Sequence, residues 1–165
     1  MDLEARLQDE SATHSEHPQE LRLWLRMMTC TQLIENQIRT RLREQFSTTL
    51  PRFDLMAQLE RSSNGLKMNE LSRRMMVTGG NVTGIADQLA GEGLIERVAV
   101  EGDRRVFLIR LTKEGRTQFA LMAKAHEAWI VEAFAGLSST QGKQLHTLLG
   151  QVKQQSKKNE LVINT

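Results

Sequence analysis

One cysteine, two prolines and no tyrosine occur among the 165 residues. A lone Cys30 excludes an intrachain disulfide. No apolar run approaches the ~20 residues that span a bilayer, and no basic stretch at the N-terminus leads into an apolar one. Neither a membrane partner nor a secretory signal is therefore expected, and the cytoplasm is the default location. An enzyme would need a nucleophile with its base, a carboxylate pair in a cleft, or a phosphate loop, and none stands in supporting context. Gly79-Gly80 is too sparse for a nucleotide loop. His14, His17, His126 and His146 lack paired metal-ligand spacing, so neither a metal nor a cofactor is expected. His126 lies on the apolar stripe of its segment and reads as a satisfied, partly buried imidazole.

Hydrophobic residues at 39% and charged residues at 25% fit one compact domain, or a small head with a dimerisation arm. The formal charge of +2 hides an asymmetry: residues 1–20 carry −5, which leaves +7 on the rest. A basic body behind an acidic leader suits a polyanion such as nucleic acid, and an ordinary solvated surface rich in arginine explains the numbers equally well.

Structure is expected from about Gln19. Leu21, Trp24, Leu25, Met28, Ile34, Ile38 and Leu42 recur at three- and four-residue steps, which predicts one long helix to about Phe46. Pro51 suits the first turn of a second helix carrying Leu55, Met56 and Leu59. After a turn at Ser62 to Gly65, Met68, Leu71 and Met75 predict a short third helix. Thr78, Gly79 and Gly80 then lead into a fourth, with Val82, Ile85, Ala86 and Leu89 on one stripe and Gly93 past its end. There the period changes. Leu94 to Val98 and Arg105 to Leu111 are β-prone runs around Glu101-Gly102-Asp103, which predicts a hairpin. Thr112 caps a helix to about Ala135, and Ser138 or Ser139 opens a last one, with a polar tail from Lys157.

Two short helices joined by a tight turn, followed directly by a two-stranded ribbon, make a winged helix-turn-helix. The expected fold class is mainly α with a small β-hairpin. The fourth helix would read bases with its outer face, where Gly80, Asn81, Thr83, Gly84, Asp87 and Gln88 are short or polar. Asn and Gln can pair bidentately with adenine, and Thr can touch a thymine methyl. Gly80 and Gly84 are costly inside a helix, so either DNA approaches the helix backbone, or Gly80 belongs to the capping turn and Gly84 packs tightly on a neighbour. At the hairpin tip, Asp103 would hold one guanidinium while Arg104 or Arg105 enters a minor groove. Arg73, Arg74 and Arg97 are candidate phosphate contacts that position the head.

Glu70-Leu71-Ser72, Val82-Thr83, Gly93-Leu94-Ile95-Glu96-Arg97, Asp103-Arg104-Arg105 and Leu111-Thr112 with Gly115 resemble the MarR family of transcription regulators over most of residues 20–155. In that family the wing carries an Asp-x-Arg element, which maps to Asp103 and Arg105. The resemblance implies a homodimer in which first and last helices of two chains interlock. It divides the chain into a flexible acidic leader (1–18), a helical dimerisation region (19–50 and 112–158) and a winged helix-turn-helix (51–111). Paired heads would read a pseudo-palindromic operator in double-stranded DNA.

The resemblance also implies a small effector, commonly aromatic, bound between arm and head. Arg22, Trp24, Arg26, Met27 and Met28, with Phe53 and Met56, are candidates to line its site, or else are core and wet surface. The segment Leu21 to Leu59 is similar to MarR-type repressors of hydroxycinnamate catabolism that sense aryl-CoA thioesters. Arg22, Arg26, Arg39, Arg41 and Arg43 offer cations for such a ligand's phosphates. The expected function is thus a repressor released by an aromatic effector. Two alternatives are a redox regulator acting through Cys30 and an adaptor without DNA binding. The redox device of some relatives uses neighbouring tyrosines, which this chain lacks, and Cys30 on an apolar helix is expected to be buried and inert.

Overall fold

Helix α1 (Pro18–Phe46) has no glycine and no proline after its first residue, with Glu20 in its first turn and Arg43 in its last, where each complements the helix dipole. The computed structural model describes residues 18–75, 79–100 and 103–163, with side chains described over 19–75, 82–99 and 107–159. Ser47 ends α1 in the left-handed region at φ 50°. Its N–H donates to the Arg43 carbonyl at 3.1 Å. Helix α2 (Leu50–Glu60) follows, with proline in its first turn as expected.

Strand β1 (Leu66–Lys67) and helix α3 (Met68–Arg74) lead to helix α4 (Gly79–Gly91), strands β2 (Ile95–Val100) and β3 (Asp103–Leu111), and helices α5 (Lys113–Ala133) and α6 (Ser139–Ile163). The expected two-stranded hairpin is a three-stranded antiparallel sheet of order β1-β3-β2. Leu66 pairs with Ile109, and Ile95 with Leu111. The expected tip at Glu101 and Gly102 lies outside the described residues, while Asp103 already belongs to β3. The polar segment from Lys157, expected as a tail, continues α6, because nothing in it breaks a helix.

The core gathers Leu42, Leu55, Met56, Leu59, Leu71, Val82, Leu89, Ile109 and Leu111, all closed to solvent. It therefore lies between the end of α1, α2, α3, α4 and the sheet, fixed by the 3.6-residue period of the helices and the alternation of β3. Contacts divide the chain into two compact units, Met1–His126 and Glu127–Thr165, and α5 continues from one into the other. In the second unit Ser138 and Gln141 form a reciprocal capping box, with N···O distances of 2.9 and 3.3 Å.

The exit from α4 is a tight joint. Gly93 takes φ 72°, a conformation that a side chain disfavours. The Leu94 N–H donates back to the Leu89 carbonyl at 2.9 Å, and Gly93 to Ala90 at 3.0 Å, which satisfies the last carbonyls of the helix. Thr112 arrives from the other side. Its N–H donates to the Leu94 carbonyl at 3.1 Å, its hydroxyl to the Gly93 carbonyl at 2.7 Å, and the same oxygen accepts from the Gly115 N–H at 3.0 Å as the cap of α5. A Cβ on Gly115 would stand 1.9 Å from the Leu94 carbonyl oxygen.

Helix α5 docks on α2 through the Phe53 ring, 5.5 Å from Phe119 and 4.9 Å from His126 between centroids. As expected, His126 is partly buried. Loss of hydration holds its pKa below the ordinary 6.5, an effect that the nearby Asp54 carboxylate opposes. The same loss raises Asp54 above 3.8 against the pull of His126 and Arg39, and Glu35 adds to the rise.

Two outcomes follow. Gly115→Ala is expected to lower the unfolding free energy by about 2–3 kcal/mol in urea titrations, since backbone must shift to admit the methyl. A depressed histidine binds fewer protons folded than unfolded, so its contribution to stability falls as pH drops through 6.5. Asp54 acts oppositely, losing stability as pH rises through 3.8. His126→Phe should flatten the denaturation midpoint below pH 6.5 and, by removing the charge that pulls Asp54 down, deepen the loss of stability as pH rises through 3.8.

Candidate nucleic-acid interface

Helix α4 is two-sided. Val82, Ile85, Ala86 and Leu89 are buried, while Thr83, Gly84, Asp87 and Gln88 are exposed on the opposite face. A Cβ on Gly84 would meet nothing within 4 Å. Tight packing on a neighbouring helix, the alternative weighed for this glycine, is therefore ruled out, and the small residue faces solvent. Gly80 and Asn81 are on the first turns of α4, with side-chain surroundings outside the described residues, as is Thr78 altogether.

The expected wing is present as β2 and β3. Asp103, Arg104 and Arg105 open β3, and their side chains too lie outside the description. Ile95, Arg97 and Ala99 face Leu111, Ile109 and Phe107 across the ladder, so these six share one face of the ribbon, a face closed to solvent at Ile95, Ile109 and Leu111.

Three expected phosphate contacts differ in their surroundings. Arg73 is exposed in the last turn of α3 and donates from Nε to the Asn69 carbonyl at 3.4 Å. Arg74 instead bonds Glu70 at 2.6 Å and the Ser62 hydroxyl at 3.0 Å, and so braces the turn between α2 and α3. Arg97 is hydrogen-bonded to Asp87 of α4. Two further ion pairs tie the head together: Arg52 of α2 to Glu92 past the end of α4, and Arg110 to Glu96 across the ribbon at 2.6 Å. The three pairings that join separate elements or strands were not visible in the sequence, since each needs the fold or the strand register to bring its partners together, whereas Glu70 and Arg74 stand four residues apart on one helix.

The residues considered for an effector separate by position. Arg22, Trp24, Arg26, Met27 and Met28 are exposed on α1, whereas Phe53 and Met56 are closed into the core and offer a ligand little surface. Cys30, expected to be buried, is exposed, because much of the apolar surface of α1 is left uncovered.

Comparison with known proteins agrees with this geometry. A MarR family model matches residues 48–107, the segment from the start of α2 to the middle of β3. A crystal structure of a MarR family transcriptional regulator from Silicibacter pomeroyi superposes with TM-score 0.72 and 28% identity, covering 87% of this chain and 99% of that one.

The fold is a winged helix-turn-helix, and residues 48–107 are similar to the MarR family.

The chain also aligns with the transcriptional activatory protein BadR of Rhodopseudomonas palustris, 30% identical over 105 residues, or 62% of this chain. The match spans 59% of BadR, under two thirds of its length. A mutant MarR from E. coli, complexed with operator DNA, shares the fold at TM-score 0.69 and 20% identity, covering 84% of this chain and 99% of that one. Among the described residues, no helix is long and apolar enough to cross a membrane.

The open position of Gly84 gives a test with two opposed signs. Gly84→Ala should stabilise the free protein by up to ~1 kcal/mol, since alanine is the better helix former. If a duplex backbone approaches this point, the same methyl should weaken DNA binding, as measured by fluorescence anisotropy. Unchanged affinity would mean that DNA stays clear of Gly84.

Proposed function

We propose that this protein is a homodimeric, ligand-responsive transcription regulator that reads a pseudo-palindromic operator in double-stranded DNA. One observation carries the reading: the exposed face of α4 holds short and polar residues, Thr83, Gly84 and Gln88, beside a ribbon of the same head. That shape suits a major groove for the helix and a neighbouring minor groove for the tip with Arg104 and Arg105. Asn81 and Gln88 are the proposed base readers, and Arg73 a phosphate contact. BadR, a transcriptional activatory protein, and the operator-bound E. coli MarR point the same way.

Homodimer formation is supported by apolar surface that the single chain leaves bare. On α1, Leu23 is 58% exposed and Trp24 56%, and in the second unit Val131 is 67% and Leu148 58% exposed. Large uncovered apolar surfaces of this kind mark interfaces. Two heads would then address half-sites about one helical turn apart.

The proposed effector is a small aromatic compound, with an aryl-CoA thioester as the favoured class. Exposed Arg22 and Arg26 supply cations for phosphates near Trp24, Met27 and Met28 on the same helix. Such an anion would release DNA by opposing the positive charge of the dimer and by favouring a spacing of heads unsuited to the operator. Occupancy at a promoter would repress transcription, and transcription in the presence and absence of the protein decides between repression and the activatory role named for BadR. The exposure of Cys30 favours a second reading, in which peroxide releases DNA and Cys30→Ser abolishes that response.

Footprinting on DNA flanking the protein's own gene, with and without aromatic acids and their CoA thioesters, tests the reading. Protection should be lost only with the thioester. Gln88→Ala should cost ~1–3 kcal/mol at the protected site and little on a scrambled duplex. Leu148→Glu with Val152→Glu should halve the sedimenting mass and weaken operator binding. Absence of salt-dependent binding to any duplex would favour a ligand-binding adaptor instead.

A further inference from the structure

We propose that Asp87 and Arg97 form a charge-neutral latch that fixes the ribbon against the reader helix and sets sequence discrimination, with Arg97 withheld from the phosphates. The proposal rests on the DNA-binding reading and deepens it.

Asp87 stands on the exposed face of α4, one turn past Thr83 and beside Gln88, where it is an anion on a surface meant for a polyanion. Arg97 reaches it from β2 with a terminal guanidinium nitrogen on Oδ1, the carboxylate being 58% and the guanidinium side chain 47% exposed. An exposed pair of this kind adds little to folding stability, so its consequence lies elsewhere. It cancels one repulsive charge at the interface. It also joins the two elements that must enter adjacent grooves, ten residues apart along the chain and otherwise linked there by the Gly93 turn.

The neighbouring charges sharpen the assignment. Glu92 is held by Arg52, and Glu96 by Arg110, so among the described residues the other two carboxylates that flank this corner have their own arginines. Arg97 is thereby left as the cation that neutralises Asp87. For Arg97 to bind a phosphate, the reader face would have to carry a bare carboxylate toward the duplex. A direct phosphate contact predicts one set of salt dependences and a latch predicts another, because each cation that meets a phosphate steepens the salt slope by about 0.9.

The test measures binding of the full-length protein to its footprinted operator and to a scrambled duplex between 50 and 200 mM salt, by fluorescence anisotropy. Asp87→Asn should bind the scrambled duplex several-fold more tightly, with a slope steeper by about 0.9, so that the operator-to-scrambled ratio falls. Arg97→Gln should lose the same ratio with its slope unchanged. The swapped pair, Asp87→Arg with Arg97→Asp, should recover discrimination beyond either single variant, and thermal midpoints near wild type should exclude misfolding. A slope shallower by about 0.9 in Arg97→Gln, with no recovery in the swap, overturns the latch and makes Arg97 a phosphate ligand. If the wild type shows no salt-dependent binding to either duplex, the DNA-binding reading itself fails and the latch falls with it. Wild-type binding with an unaltered ratio in all three variants rejects the latch alone.

Discussion

The carbonyl of Leu94 is the point on which the head is assembled. It accepts from the Thr112 N–H, and its oxygen occupies space that a side chain at position 115 would need. Four elements meet there: the end of α4, the start of β2, the end of β3 and the start of α5. The helix that exposes Thr83 and Gln88, the ribbon and the helix that leads away from the head thus share one hydrogen-bonded joint. Buried leucines supply most of the favourable free energy of the core, but they are non-directional. The joint is directional, and it determines the angle at which α4 and the ribbon leave the body.

Around that joint the charged residues act as ties more than as a diffuse basic surface. Arg52, Arg74, Arg97 and Arg110 each pair with a carboxylate, and three of the four pairings link separate elements or strands. Arg74 adds the Ser62 hydroxyl and so reaches the preceding turn as well. Net charge read along the chain therefore overstates the cations free to meet a phosphate.

Much of this was legible in the residues. The α4 stripe of Val82, Ile85, Ala86 and Leu89 repeats at helical spacing, and its complement is the exposed face, so this helix could be drawn without coordinates. Thr112 with Gly115 announced a cap, although the reason for glycine there, the Leu94 oxygen, is a contact across 21 residues that no local pattern contains. Strand β1 escaped because two residues have no period to detect, and it exists only as a partner of β3. Asp87 and Arg97 were each placed at the interface but not joined, since joining them requires the register of β2 against the helix. Cys30 shows the opposite limit: a residue can belong to an apolar helix and still be exposed when the helix surface has no partner within the chain.

The sheet order β1-β3-β2 leaves two edges, and neither invites a foreign strand. One edge is only two residues long, and the other carries Glu96 and Arg97 in its middle. Short and charged edges deny a template for strand-to-strand growth. Copies of this head crowded side by side along a duplex would therefore remain separate particles and not knit into a fibre.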